Sequence, residues 1–159
     1  MNGYQNILVA ADFSSAGENA VIMADVLASR FGASLTILHV LEHFPEDLPV
    51  SVIPPEDVDP EEFLTNRARG DLEKLSTRIG QQDATLEVVV STHSASREIV
   101  KYAQGQGIDL IVVGSYGKDG ILGRTGSTAN SVMRTANIDV LVVHPAEIQA
   151  VNTKLSSYL

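Results

Sequence analysis

The chain has 159 residues, a formal net charge of −9 and no cysteine. This length suits a single domain over residues 1–159, and the acidic charge disfavours a nucleic-acid partner because a phosphate backbone would be repelled. Without cysteine the chain forms neither a disulfide nor a thiolate metal site. No apolar run is long enough for a membrane span and the start lacks a basic leader, so we expect a cytoplasmic protein without a membrane partner.

The first half of the chain begins with a buried strand, "NILVAA" at 6–11. A helix follows, capped by Ser14 or Ser15 and ended by Gly32. Its apolar positions follow the helical period and are expected to face the core: Ala20, Val21, Ala24, Leu27, Ala28 and Phe31. "SLTILHVL" at 34–41 is the second predicted strand. Five prolines and many acidic residues between 43 and 60 predict a long, solvated loop.

The second half repeats this alternation. A helix is predicted at 61–79, a strand at 85–90, a helix at 96–105 and a strand at 109–114. After a glycine-rich stretch, "STANSVMRTAN" predicts a helix whose inward face carries Ala129, Val132, Met133 and Ala136. "DVLVVH" at 139–144 is the fifth strand, and the tail at 145–159 has no strong pattern.

Strands that alternate with helices predict a parallel sheet covered by helices on both faces, an α/β three-layer sandwich. Ligands of such sheets bind at the carboxyl ends of the strands, where the strand order reverses. Two strand ends are unusual: Asp12 follows the first strand, and Gly114 opens the glycine stretch after the fourth. Both are explained if strands one and four are neighbours, in the order 3-2-1-4-5.

The stretch "GSYGKDGILGRTGST" has glycine at 114, 117, 120, 123 and 126. Backbone without Cβ atoms can approach an anion closely and adopt positive φ, and Ser127 and Thr128 open a helix whose free N–H groups favour negative charge. The pattern therefore predicts a phosphate cradle, with Lys118 and Arg124 as possible charge partners. It is not a P-loop, since Asp119 follows Lys118.

Several of these residues have plainer explanations. The glycines could form a surface loop, Asp12 could cap the next helix, and His39 in its apolar strand is expected to be a hydrogen-bonded structural histidine. The four histidines show no metal-ligand spacing, and no nucleophile motif is present. We therefore assign no catalytic residue and no metal ligand from the sequence.

Five segments together resemble the universal stress protein family over almost the whole chain: "ILVAADFS" at 7–14, "LTILHV" at 35–40, "DLIVVGSYGKDG" at 109–120, "GSTANSVM" at 126–133 and "DVLVVH" at 139–144. The family has the adenine nucleotide alpha hydrolase-like fold, a five-stranded sheet in the order 3-2-1-4-5. Its ATP-binding branch carries G-x-x-G, nine residues, then G-[ST]. Here Gly117 and Gly126 are separated by eight residues, and this resembles a branch with "GSTAN" after a shorter loop.

The resemblance implies roles for individual residues. Asp12 and Val40 would contact adenine with Ala10 and Ala11 beside it, Gly114 and Gly117 would lie near the ribose and phosphates, and Gly126, Ser127 and Thr128 would hold the phosphates. Tyr116 stands where the family often has histidine, and His93 where it often has glycine.

The leading interpretation is a stress-response protein that senses or signals through occupancy by ATP, or by AMP or ADP, with or without Mg²⁺. Slow ATP hydrolysis is compatible with it. The alternatives are a ligand-free dimeric interaction protein and a small enzyme of adenylate chemistry. Strand 139–144 would be an apolar sheet edge, so a homodimer paired through it is expected, unless the tail covers that edge.

Overall fold

The computed structural model describes residues 3–42, 53–115 and 126–144. Within these ranges strands and helices alternate. They are β1 (Asn6–Ala10), α1 (Ser15–Phe31), β2 (Ser34–Glu42), α2 (Pro60–Arg78), β3 (Thr85–Ser91), α3 (Ala95–Gly105), β4 (Leu110–Gly114), α4 (Ser127–Thr135) and β5 (Asp139–Val143). None of the helices in the described ranges is long and apolar enough to cross a membrane.

The strands form one parallel sheet in the order β3-β2-β1-β4-β5, which confirms the predicted topology. β1 lies at the centre and pairs with β2 on one side and β4 on the other. This pairing makes β1 and β4 neighbours, as the two unusual strand ends suggested. The outermost strands are β3 and β5.

Helices cover both faces of the sheet and bury two hydrophobic clusters. The first cluster joins α1 and α2 to one face, and the second joins α3 and α4 to the other. In β1, Ile7 and Val9 belong to the first cluster and Leu8 to the second, and all three are fully buried. Burial on both faces explains why the strands read as continuous apolar runs instead of alternating ones.

The ends of α1 follow the predicted chemistry. Ser14 is its N-cap, with Oγ accepting a hydrogen bond from the Gly17 N–H at 3.0 Å, and Gly32 ends the helix in the left-handed region at φ 64°.

Two residues assigned to the inward faces of helices are instead exposed. Phe31 is 46% exposed because its ring lies edge-to-face on Tyr4, with centroids 5.5 Å apart, outside the core. Met133 of α4 is 44% exposed, whereas its neighbour Val132 is fully buried. The helical period placed these side chains at the border of the apolar face, where it does not separate buried positions from exposed ones.

The predicted loop is shorter at its carboxyl end than the prolines indicated. Pro60 begins α2 instead of ending the loop, because proline fits the first helical position, where no N–H donor is needed. Asp59 is the N-cap and accepts from the Glu62 N–H at 2.9 Å. Residues 43–52 of this loop and the tail at 145–159 lie outside the described residues.

Candidate functional site

The carboxyl ends of β1 and β4 lie side by side, so the turn after β1 and the segment after β4 meet at one edge of the sheet. Gly114 is the last residue of β4 and packs against the first turn of α1. A Cβ at Gly114 would lie 2.9 Å from the carbonyl carbon of Ala16 and 3.1 Å from the nitrogen of Gly17. Glycine is therefore needed here for contact between β4 and α1, whereas the sequence had suggested approach to a ligand.

The expectation of positive φ is wrong at Gly126. Its φ is −64°, an angle open to any residue, and among the described residues the glycines with positive φ are Gly32, Gly80 and Gly107, none of them in the predicted cradle. Any special role of Gly126 must therefore come from the small size of glycine. Gly117, Lys118 and Arg124 lie outside the described residues.

The start of α4 differs from the starts of the other helices in the described part of the chain. Its N-cap is Gly126, which has no side chain to accept from the first N–H groups, and its first turn carries no acidic residue. The other helices have Glu18, Glu61 and Glu62, or Glu98 in that turn. Ser127 and Thr128 are exposed. Among the described residues, the positive end of the α4 dipole is thus neither capped by a side chain nor neutralised by a carboxylate in the first turn.

Ser115 joins three elements at the same edge. Its N–H donates to the Val143 carbonyl of β5 at 2.9 Å, and its carbonyl accepts from the Gly126 N–H at the start of α4. The side chain is fully buried, and its Oγ has no hydrogen-bond partner among the residues that the structure describes. A buried hydroxyl without a described partner is uncommon, and residues 116–125, which follow Ser115 directly, lie outside the described residues.

Ala10 and Val40 lie on one face of the sheet. Both pack against the cluster formed by α3 and α4, whereas Ala11 and Phe13 belong to the cluster of α1 and α2. The structure therefore brings Ala10 and Val40 to the face that carries the start of α4. It places Ala11 on the opposite face, 3% exposed.

Asp12 supports the cap of α1 without being the cap itself. Its Oδ1 accepts from the Ser14 N–H at 3.0 Å and from the Ser14 hydroxyl at 2.5 Å, while Ser14 caps the helix. Gly17 makes room for this arrangement, because a Cβ there would collide with the Asp12 carboxylate. Phe13, which lies between Asp12 and Ser14 in the chain, adopts φ 62°, which is unusual for a residue other than glycine.

His39 lies behind this turn and has a partner, as predicted. Its Nδ1 is 2.6 Å from the Ala11 carbonyl, and its ring lies 4.6 Å from that of Phe13 between centroids. Burial lowers the pKa of His39 below 6.5, against the opposing effects of the Ala11 hydrogen bond and the charges of Asp12 and Asp71. Throughout the described ranges, including the surroundings of His39, no group of three or more histidine and acidic side chains could hold a metal ion.

Sequence reasoning missed Gly17, Phe13 and Ser115. The space around Gly17 and Ser115 depends on contacts between separate elements. Ser115 lies inside the glycine-rich stretch, but the glycine spacing does not mark it. Phe13 offered one signal, since a residue between a strand end and a serine cap must reverse the chain direction.

We expect Ser14→Ala to lower the free energy of unfolding by about 1 kcal/mol, because it removes the acceptor for the Gly17 N–H. Asp12→Ala should cost less, since Ser14 remains in place to cap α1. Urea denaturation of the two variants measures this difference. A larger loss for Asp12→Ala would show that the carboxylate, not the hydroxyl, stabilises the helix start.

Comparison with known proteins gives one consistent result. Residues 3–144 match the Universal stress protein family. Universal stress protein A homolog 1 of Coxiella burnetii is 32% identical over 143 residues, covering 88% of this chain and 96% of the relative. The universal stress protein UspA from Lactobacillus plantarum superposes with a TM-score of 0.69 at 28% identity, over 89% of this chain and 98% of its own.

A further structure, a universal stress protein in complex with cAMP, superposes with a TM-score of 0.61 at 26% identity, over 90% of this chain and 98% of the other. The strand order and these matches agree. The chain belongs to the universal stress protein family.

Proposed function

We propose that this protein binds an adenine nucleotide, ATP or its relatives AMP and ADP, at the edge where β1 and β4 meet the start of α4. Occupancy of that site would then act as a signal in a stress response. The observation that carries the proposal is the start of α4, where, within the described residues, the N–H groups have no side-chain cap and the first turn has no carboxylate. Such a helix start stabilises phosphate through hydrogen bonds and through the helix dipole.

Ser115 lies beside the proposed site. Its buried hydroxyl lacks a partner among the described residues and lies next to Gly114 and, through the backbone, next to Gly126. A nucleotide offers many acceptor oxygens, so the first N–H groups of α4 fit its phosphates. The hydroxyls of Ser127 and Thr128 would add further hydrogen bonds.

The base would lie beside Ala10 and Val40, on the face shared with α4. Small and branched apolar side chains near the carboxyl ends of β1 and β2 suit the flat, apolar surface of adenine. Asp12 follows β1 directly, in the turn before α1. The universal stress protein that was solved with cAMP is 26% identical to this chain, which supports an adenine nucleotide as the ligand class.

We favour binding over rapid turnover. Near the site His39 has its Nδ1 bonded to Ala11 and lies on the face opposite Val40, so it is not placed to activate water. Mg²⁺ would arrive with the phosphates, because this ion keeps several waters and needs only one or two carboxylates. Gly117 stays in the proposal as a ribose and phosphate contact because of the family resemblance, and Lys118 stays as a charge partner predicted from the glycine-rich stretch.

The decisive experiment is to identify and titrate the ligand. Mass spectrometry of material released from freshly purified protein should detect an adenine nucleotide, and calorimetry should show saturable ATP binding. An empty site together with no titration response would reject the proposal and favour a ligand-free interaction protein.

Gly126→Val tests the position of the phosphates. Because φ at Gly126 is −64°, valine causes no left-handed strain, but its branched side chain would cover the first N–H groups of α4. We expect ATP affinity to fall by about tenfold or more. Gly105→Val is the matched control, since a Cβ at Gly105 meets no atom within 4 Å. Equal affinities of the two folded variants in calorimetry would argue against phosphate binding at α4.

A further inference from the structure

We propose that His39 is a positioning residue of the nucleotide site. It holds the turn between β1 and α1, residues 11–14, in the shape that presents Asp12 to the ligand. This inference rests on the proposed function, but it concerns His39, which is not among the residues proposed to contact the nucleotide.

The first support is the way in which Ala11 is bound. β1 ends at Ala10, yet both backbone groups of Ala11 are bonded to β2. The Ala11 N–H donates to the Leu38 carbonyl at 2.8 Å, and the Ala11 carbonyl accepts from His39 Nδ1, which is 2.6 Å away. The chain is thus held to the sheet for one residue beyond the strand, and Asp12 is the first residue to leave it.

The second support is Phe13. A bulky residue at φ 62° persists only when its surroundings hold it there. Its ring lies on the His39 ring at a centroid distance of 4.6 Å and an interplanar angle of 41°. His39 therefore contacts the turn twice, through the carbonyl before Asp12 and through the side chain after it.

The third support is the side of the sheet on which His39 lies. Consecutive residues of a strand point to opposite faces, so His39 and Val40 project in opposite directions. Val40 packs with the cluster of α3 and α4, where the ligand is proposed to lie, whereas Ala11 and Phe13 belong to the other cluster. His39 acts from behind the turn and does not contact the ligand.

The chemistry of the hydrogen bond defines the state of the ring. A carbonyl oxygen only accepts, so Nδ1 must carry the proton. The acidic groups that face the ring are Asp12, from the turn, and Asp71, from α2. Burial outweighs these charges and lowers the pKa of His39, which makes the neutral ring with a protonated Nδ1 the form present near neutral pH.

Two variants separate the hydrogen bond from the ring contact. In His39→Asn the amide Nδ2 takes the place of Nδ1 and can still donate to Ala11, whereas His39→Leu has nearly the same shape as asparagine but no donor. Both lose the ring that supports Phe13. We expect His39→Leu to weaken ATP binding roughly tenfold more than His39→Asn does, the effect of one lost hydrogen bond.

Calorimetry with ATP on the full chain, wild type and both variants, distinguishes the possible failures. If the wild type does not bind ATP, the proposed function fails and this inference fails with it. If the wild type binds and the two variants bind equally, only the role of the His39 hydrogen bond is rejected. Rescue by asparagine but not by leucine supports it.

A spectroscopic measurement on the unaltered protein covers the case in which His39→Leu does not fold. The ring ¹⁵N signals of His39 should show a protonated Nδ1. They should also shift when ATP is added, because the ligand contacts the turn to which the ring is bonded. A residue that served only to stabilise the core would not respond. Unchanged His39 signals at saturating ATP would overturn the proposal.

Discussion

Gly114→Ala should lower the free energy of unfolding by about 1–3 kcal/mol, the usual cost of forcing an extra carbon into close-packed structure. The new Cβ would meet the carbonyl carbon of Ala16 at 2.9 Å, the Ala16 oxygen at 3.0 Å and the Gly17 nitrogen at 3.1 Å. These are backbone atoms of the first turn of α1, so no side-chain rotation can relieve the contact. Either α1 or β4 must move, and both border the proposed nucleotide site.

The same substitution in α2 is a matched control with the opposite sign. Gly70 lies inside the helix, and a Cβ there meets no atom within 4 Å. Gly70→Ala should therefore raise the free energy of unfolding by about 0.5–1 kcal/mol, because alanine restricts the unfolded chain and favours a helix. Urea denaturation of both variants with unchanged m-values gives the comparison. A Gly114→Ala variant as stable as the wild type would show that β4 and α1 are not closely packed.

The second large effect concerns assembly, where we propose that two copies pair antiparallel through β5. This strand is outermost in the sheet, and residues 139–143 contain no lysine or proline to block pairing. The Val143 carbonyl accepts from Ser115 of the β4 segment, so Val143 faces inward and Val142, one residue earlier, directs its N–H and carbonyl outward. Val142→Pro would remove an outward donor and leave the bonds between β4 and β5 in place.

Because the pairing is two-fold, each Val142→Pro substitution removes a donor from both copies. We expect the dissociation constant of the dimer to rise about tenfold or more. Val142→Thr is the control, since it keeps the N–H and the branched Cβ. Analytical ultracentrifugation at micromolar concentration measures the change, and a wild-type protein that is already monomeric there would reject pairing through β5.

The fold could be predicted from the sequence because its signals are local. Continuous apolar runs such as 109–114, with helical periods between them, specify a parallel sheet covered on both faces. The two strand ends at Asp12 and Gly114 then favour a single strand order, which the structure confirms. The prolines predicted the boundary of the loop less well. Proline breaks a helix in its interior but is favoured at the first helical position, where Pro60 begins α2.

The sequence marks candidate residues of the site, but not the contacts that these residues make. Glycine at 114 is marked in the sequence, yet the reason for it is the contact with Ala16, which exists only once β4 and α1 are packed together. Asp12 and Ser14 were both candidates for the N-cap of α1. In the structure Ser14 accepts from the Gly17 N–H, and Asp12 accepts from the Ser14 hydroxyl. The spacing of these residues in the sequence does not predict which of them caps the helix. The histidine at 39 was expected to have a partner, but the identity of that partner follows from the register of β1 on β2.

Ser115 connects the proposed nucleotide site with β5, the strand through which two copies are proposed to pair. Its backbone is bonded on one side to Gly126, at the start of α4, and on the other to Val143, at the end of β5. A displacement of this residue by a nucleotide would therefore reach the proposed dimer strand through one hydrogen bond. Linkage then requires reciprocity: the factor by which the nucleotide changes the dimerisation constant equals the factor by which dimerisation changes nucleotide affinity. Through that coupling, the cellular ratio of nucleotides could set the proportion of paired chains without any bond of ATP being broken.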